Sequence, residues 1–144
     1  MTTSHRFFMA STALLWAGLT ACTHAPIAPG CAPSEISADQ LVGTWQLDLA
    51  GQTGAWTLVL RPHPEHQGSL RGTLMQNPLH YAVVADIEDG EVTMEESHDG
   101  RRIAATWLGR VVMGSCGKVL TGERQAGSAG TAPQRFEMRQ SVPR

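Results

Sequence analysis

The strongest constraint on how this 144-residue chain folds is a two-residue rhythm. It opens in Leu41-Val42-Gly43-Thr44-Trp45-Gln46-Leu47-Asp48-Leu49, where Trp45, Leu47 and Leu49 share one face and Gln46 and Asp48 the other. Strict apolar/polar alternation is the pattern of a half-buried β-strand. The turn residues Ala50-Gly51-Gln52-Thr53-Gly54 reverse the chain, and Trp56, Leu58 and Leu60 repeat the rhythm. Leu70, Gly72 and Leu74 do so again after a polar turn over residues 61–68. Tyr81-Ala82-Val83-Val84-Ala85-Asp86-Ile87 leads into Glu88-Asp89-Gly90, a hairpin turn of the Asp-Gly kind, with Val92 and Met94 turned inward beyond it. Ser97-His98-Asp99-Gly100 repeats that turn chemistry, and Ile103, Ala105 and Trp107 form the next inward row. Residues 111–113 and 118–122 are two short candidates around Gly114-Ser115-Cys116-Gly117. Residues 125–133 read as a loop, and Phe136 and Met138 mark the closing strand.

Eight or nine strands joined by short turns leave no crossover long enough for a parallel unit. The expected fold is therefore all-β, a single antiparallel up-and-down barrel of about eight strands, with a flattened sandwich as the alternative. Such a barrel has an interior that side chains fill or that holds one small ligand. Before the first strand, Ser37-Ala38-Asp39-Gln40 has a Ser with Gln three residues on, a capping box for one short helical turn placed to plug a barrel end.

Ahead of this domain, Arg6 and an apolar run over residues 7–19 make an export signal too short to span a bilayer. It ends in Leu19-Thr20-Ala21-Cys22, which resembles the lipobox of bacterial lipoproteins. That resemblance implies cleavage before Cys22, acylation of its thiol, and a chain tied to the membrane by an N-terminal lipid anchor, since several acyl chains hold essentially permanently. Thr23 stands where an Asp implies inner-membrane retention in the enterobacterial sorting pattern, so the expected address is the outer membrane, facing the periplasm. Residues 1–21 are then the signal peptide, residues 22–36 a lipidated, proline-rich linker, and residues 37–144 the barrel domain. With Arg6 removed, the Lys and Arg fall short of the 13 Asp and Glu by three, and scattered arginines on a mildly acidic chain give no nucleic-acid footprint. Once Cys22 is acylated, Cys31 and Cys116 remain as a pair in an oxidising compartment and are expected to bond, two free thiols being the alternative.

Gly43-Thr44-Trp45, Gly68-Ser69-Leu70-Arg71-Gly72-Thr73-Leu74 and Arg135-Phe136-Glu137-Met138-Arg139 resemble the lipocalin and avidin group of small barrels. They are more similar still to the lipocalin-like domains of bacterial lipoproteins. Avidins hold biotin with polar side chains just after the Gly-Thr-Trp strand, and Gln46, Asp48 and Gln52 depart from that pattern, so biotin binding does not carry over.

Several clusters invite a chemical reading. His63-Pro64-Glu65-His66 gathers two imidazoles and a carboxylate, but a proline in an exposed turn preorganises a metal poorly, so no metal and no cofactor are expected. His80 and His98 join only if the fold brings them near. Cys116 lacks an identifiable base, which a catalytic thiol needs. The acidic residues Asp86, Glu88, Asp89, Glu91, Glu95 and Glu96 lack calcium-loop spacing and read as a solvated hairpin. The inferred inward rows carry Trp45, Trp56, Tyr81, Met94, Trp107 and Phe136: a core if the barrel closes tightly, a pocket lining if it is wider. Arg110 is the candidate rim cation for an acidic head group. The functional expectation is a membrane-anchored, non-enzymatic binding or carrier module for a small hydrophobic ligand or envelope component. The alternative is a filled barrel whose loops bind an envelope protein, as an inhibitor or assembly factor.

Overall fold

The computed structural model of the protein describes residues 28–128 and 130–142. The expected signal peptide and the expected lipidation site, Cys22, lie outside these residues. Eight strands follow one another as a meander: β1 (Gly43–Leu49), β2 (Trp56–Pro62), β3 (Leu70–Gln76), β4 (Leu79–Glu88), β5 (Glu91–Ser97), β6 (Ala105–Val111), β7 (Val119–Ala126) and β8 (Gln134–Gln140). Each pairs antiparallel with the next, and β1 pairs with β8, so the sheet closes into a barrel. Closure leaves no free strand edge, which removes the row of unpaired amides along which open sheets aggregate.

The alternation decides which side chains go inside. Trp45, Leu47 and Leu49 of β1 face inward beside Trp56, Leu58 and Leu60 of β2, while Gln46 and Asp48 face water. Residues 111–113 are not a separate strand, whereas the 118–122 candidate is the first part of β7. Val111 is the last residue of β6 and Val119 the first of β7, and residues 112–118 are the loop between them. Ile103 also departs from expectation: β6 begins at Ala105, and Ile103 lies exposed in the preceding loop.

Glycine sets how closely these strands coil. A Cβ on Gly72 would lie 2.3 Å from the Val59 carbonyl oxygen, and one on Gly122 would lie 2.1 Å from that of Leu108. Both glycines occupy inward positions in their strands, where the backbone of the neighbouring strand presses in.

One end of the barrel is sealed by the chain that precedes β1. The short helix α1 (Ala38–Leu41) begins as expected, with Gln40 Oε1 accepting the Ser37 backbone N–H at 2.8 Å. Leu41 is fully buried, and its carbonyl accepts the Trp45 indole N–H at 2.9 Å. An indole withdraws about 150–250 Å² from water, which at about 25 cal/mol per Å² favours burial by about 4–6 kcal/mol. Ahead of α1, Pro33 packs on Gly90 and Ile36 on Gly117, draping the segment across the hairpin turns of this end. The Cys31–Cys116 disulfide fastens the drape to the β6–β7 loop. The opposite end, the mouth, is framed by residues 50–55, 77–78, 98–104, 127–128 and 130–133.

Candidate functional site

Of the residues expected to line a pocket, Trp45, Trp56, Tyr81, Met94, Trp107 and Phe136 all point into the barrel. They belong to one hydrophobic core, with Tyr81 half-buried against it. Trp45 and Trp107 are at most 1% exposed, and Leu58, Leu60, Leu70, Leu74, Leu120 and Met138 are equally buried around them. The Trp107 and Phe136 rings meet edge to face at 5.2 Å, a favoured aromatic geometry. Arg110 does not rim this interior. In β6 the inward positions are 105, 107, 109 and 111, so Arg110 projects from the outer wall, where it pairs with Glu91 at 3.0 Å.

At the mouth the apolar interior gives way to a polar cluster that sequence reasoning missed. Glu96, on the inward row of β5 with Val92 and Met94, is fully buried. Arg124 of β7 donates to both its oxygens, Nε to Oε2 and Nη2 to Oε1, each at 2.9 Å. Trp107 Nε1 donates to Oε2 at 3.0 Å, and His98 Nε2 lies 2.7 Å from Oε1. Burial opposes the charge on Glu96, but the hydrogen bonds from Arg124, His98 and Trp107 and the Arg124 charge outweigh it, holding the carboxyl below its ordinary value. Arg124 also lies 5.3 Å above the Trp107 ring, and its Nη1 donates to Gln134. His98, half exposed, stacks on Tyr81 at 4.1 Å and caps the cluster.

The loop carrying His98 is held by Asp99, whose Oδ1 accepts the backbone N–H groups of Arg101 and Arg102 at 2.9 and 2.8 Å. Nearby, Trp56 Nε1 is a buried donor with no acceptor among the described residues. The signal for Glu96 and Arg124 was available in principle, since each continues an inward parity: 92, 94, 96 and 120, 122, 124. Glu96 is thus not part of a solvated hairpin, whereas Asp86, Glu88, Asp89, Glu91 and Glu95 do face water.

The remaining clusters separate in space. His63 and His66 approach to 4.5 Å between rings, but His63 Nδ1 accepts the backbone N–H groups of Glu65 and His66 and so serves the turn. They lie at the plugged end, His98 at the mouth, and His80 on the outer wall of β4. Among the described residues no group of three or more His, Cys, Asp or Glu is arranged to hold a metal ion. Cys116 has its sulfur in the disulfide and offers no thiolate.

The outer wall carries a further feature. A groove of about 600 Å³ runs over β2, β3 and β4, floored by Val59, Thr73, Met75, Ala82 and Val84, with Arg61, Arg71 and His63 at its plugged-end limit. Arg61 and Arg71 stand directly opposite each other in the β2–β3 register, both exposed.

In comparisons with known proteins, no protein-family model matches the chain and no curated protein matches its sequence.

Proposed function

We propose that the protein is a lipoprotein anchored through Cys22 in the bacterial outer membrane and facing the periplasm. It acts there as a non-enzymatic binding module that recognises a hydrophobic envelope component on the outside of a filled barrel. The observation that carries this reading is the packing of the interior, where Trp45, Met94, Trp107 and Met138 are 0–2% exposed and α1 seals one end. A deep apolar calyx would require those side chains to move apart, and tightly packed cores resist such changes.

Two further observations support it. The buried carboxylate Glu96 is committed to Arg124, Trp107 and His98 and held in its charged form, which makes it a poor proton donor at neutral pH. Eight residues separate Cys22 from the disulfide at Cys31, and nine Cα steps reach at most about 32 Å, so an acylated Cys22 keeps the plugged end towards the bilayer.

Native mass spectrometry of the Cys22→Ser chain, which lacks the anchor and is released from a periplasm without detergent, tests the reading. A bare mass, or an adduct whose retention is insensitive to Trp107→Phe, agrees with it; an adduct lost in that variant overturns it in favour of carriage inside the barrel. The unpartnered Trp56 Nε1 is the one observation favouring that second reading, a small ligand with an acceptor atom seated at the mouth.

A further inference from the structure

We infer that the outer groove of β2, β3 and β4 binds a single-chain anionic phospholipid, its phosphate between Arg61 and Arg71 and its acyl chain along Val59, Met75, Ala82 and Val84. The inference rests on the binding-module reading and names the ligand class and the site.

The charge arrangement is the first argument. Arg61 and Arg71 are direct cross-strand neighbours, so their Cβ atoms are about 5 Å apart and two like charges are held together. Neither makes an ion pair among the described residues, although Arg110, Arg124 and Arg139 all do. The nearest carboxylate on the same face of β4, Asp86, lies one step beyond Val84 and accepts from the Ser69 hydroxyl. On β5, Glu95 stands opposite Val84. A phosphate between the guanidinia turns this repulsion into two charge-assisted contacts, and guanidinium geometry matches phosphate oxygens in pairs. His63 adds a donor, because its Nδ1 accepts from the turn and the ring proton of the neutral imidazole then sits on Nε2.

The floor is the second argument. From Arg71 to Met75 the strand rises four residues, about 13 Å, and along that length Val59, Met75, Ala82 and Val84 present apolar surface to the groove. Val84, in the middle of β4, is 41% exposed and adds to this track. A cationic head site joined to an apolar track fits an amphiphile. It fits a peptide poorly, because every strand of the closed barrel already has two partners and offers no edge for strand addition.

The test titrates the soluble Cys22→Ser chain, disulfide intact, with lysophosphatidylglycerol below its micelle concentration, followed by calorimetry. An alkyl maltoside of equal chain length, inorganic phosphate and phosphatidylglycerol vesicles serve as comparison arms. One-to-one binding is expected, weakened at least tenfold in Arg61→Gln/Arg71→Gln, unchanged in Arg110→Gln, and not reproduced by the maltoside or by phosphate alone. The double variant should melt no lower than the parent, which separates lost binding from lost folding. Equal lysolipid affinity in the double variant, equal affinity for the maltoside, binding of phosphate alone with the same arginine dependence, or binding only to vesicles would each overturn the inference. A folded parent that binds no lysolipid yet leaves the periplasm with another ligand removes the groove site and leaves the binding-module reading standing. A folded parent that binds no lysolipid and leaves bare removes the groove site alone, whereas one that leaves with a ligand lost in Trp107→Phe removes both.

Discussion

Replacing Glu96 with glutamine keeps the shape of the mouth cluster and removes one charge, leaving the Arg124 guanidinium without its counterion. The Arg124 side chain is only 12% exposed, so water replaces the carboxylate poorly. Breaking a buried ion pair from one side costs about 3–5 kcal/mol. The retained amide oxygen still accepts from Trp107 Nε1, which sets the expected loss near the lower end, at about 3 kcal/mol. Glu96→Ala also strands the Trp107 donor, adding about 1–3 kcal/mol. In a domain of this size 1 kcal/mol corresponds to about 4 °C in Tm, so Glu96→Gln should melt about 12 °C lower. Glu96→Gln/Arg124→Met removes both charges while keeping an acceptor for Trp107 Nε1, and should recover most of the loss, because replacing both members of a buried pair is often neutral or stabilising. Urea unfolding followed by tryptophan emission, with the disulfide intact at pH 7, completes the double-mutant cycle.

The same carboxyl gives stability an acid limb. Its pKa is lower folded than unfolded, so between the two values the unfolded chain binds more protons. Its contribution is therefore complete above about pH 4.5 and lost as pH falls through the folded-state value. Glu96→Gln should flatten that limb. A loss under about 1 kcal/mol for Glu96→Gln, or a double variant as unstable as the single one, would refute the claim that this pair holds the mouth together.

Other consequences follow from the same geometry. Gly122→Ala drives a methyl into the Leu108 carbonyl and should destabilise by about 1–3 kcal/mol in urea melts, whereas Gly100→Ala, with open space around it, should cost only the strain of its positive φ. Reducing Cys31–Cys116, which closes a loop across 85 residues, should lower stability by up to about 4.5 kcal/mol in denaturant titrations with and without reductant. Arg71→Gln relieves the cross-strand repulsion and should raise apo stability by about 0.2–1 kcal/mol, read by calorimetric melting. Cys22→Ser should abolish palmitate labelling and move the protein from the membrane to the soluble fraction.

The barrel was legible because alternation is a local property: each strand with one wet face and one dry face writes its parity into the sequence. The capping box at Ser37 and the disulfide were readable for similar reasons, one from spacing within a turn and the other from counting thiols. Glu96 and Arg124 were hidden because charged side chains default to solvent in a local reading. Only the closure of β5, β6 and β7 brings them together across 28 residues. Arg110 was misread because it was placed at the rim by its nearness to Trp107, whereas three residues along a strand put it on the opposite face. The loop around Gly114 to Gly117 was read correctly, but not the strand bounds: Val111 already closes β6, and β7 runs past Gly122 to Ala126, with Gly109 and Gly122 paired in the β6–β7 register. The Arg61–Arg71 pair was beyond sequence reasoning, since it depends on the register set by the loop between β2 and β3.

The central claim, a filled interior with recognition on the outer wall, meets its most direct test at two adjacent residues. Val83 points into the core and is 4% exposed, while its neighbour Val84 points out at 41%. Methyl-resolved NMR of the mature chain, titrated with lipids extracted from its own envelope, reads the two separately. The account predicts that Val84 and Val59 methyl resonances shift with added lipid while those of Val83, Leu58 and Leu74 stay fixed. Shifts concentrated on the inward methyls, with Val84 unmoved, would contradict it.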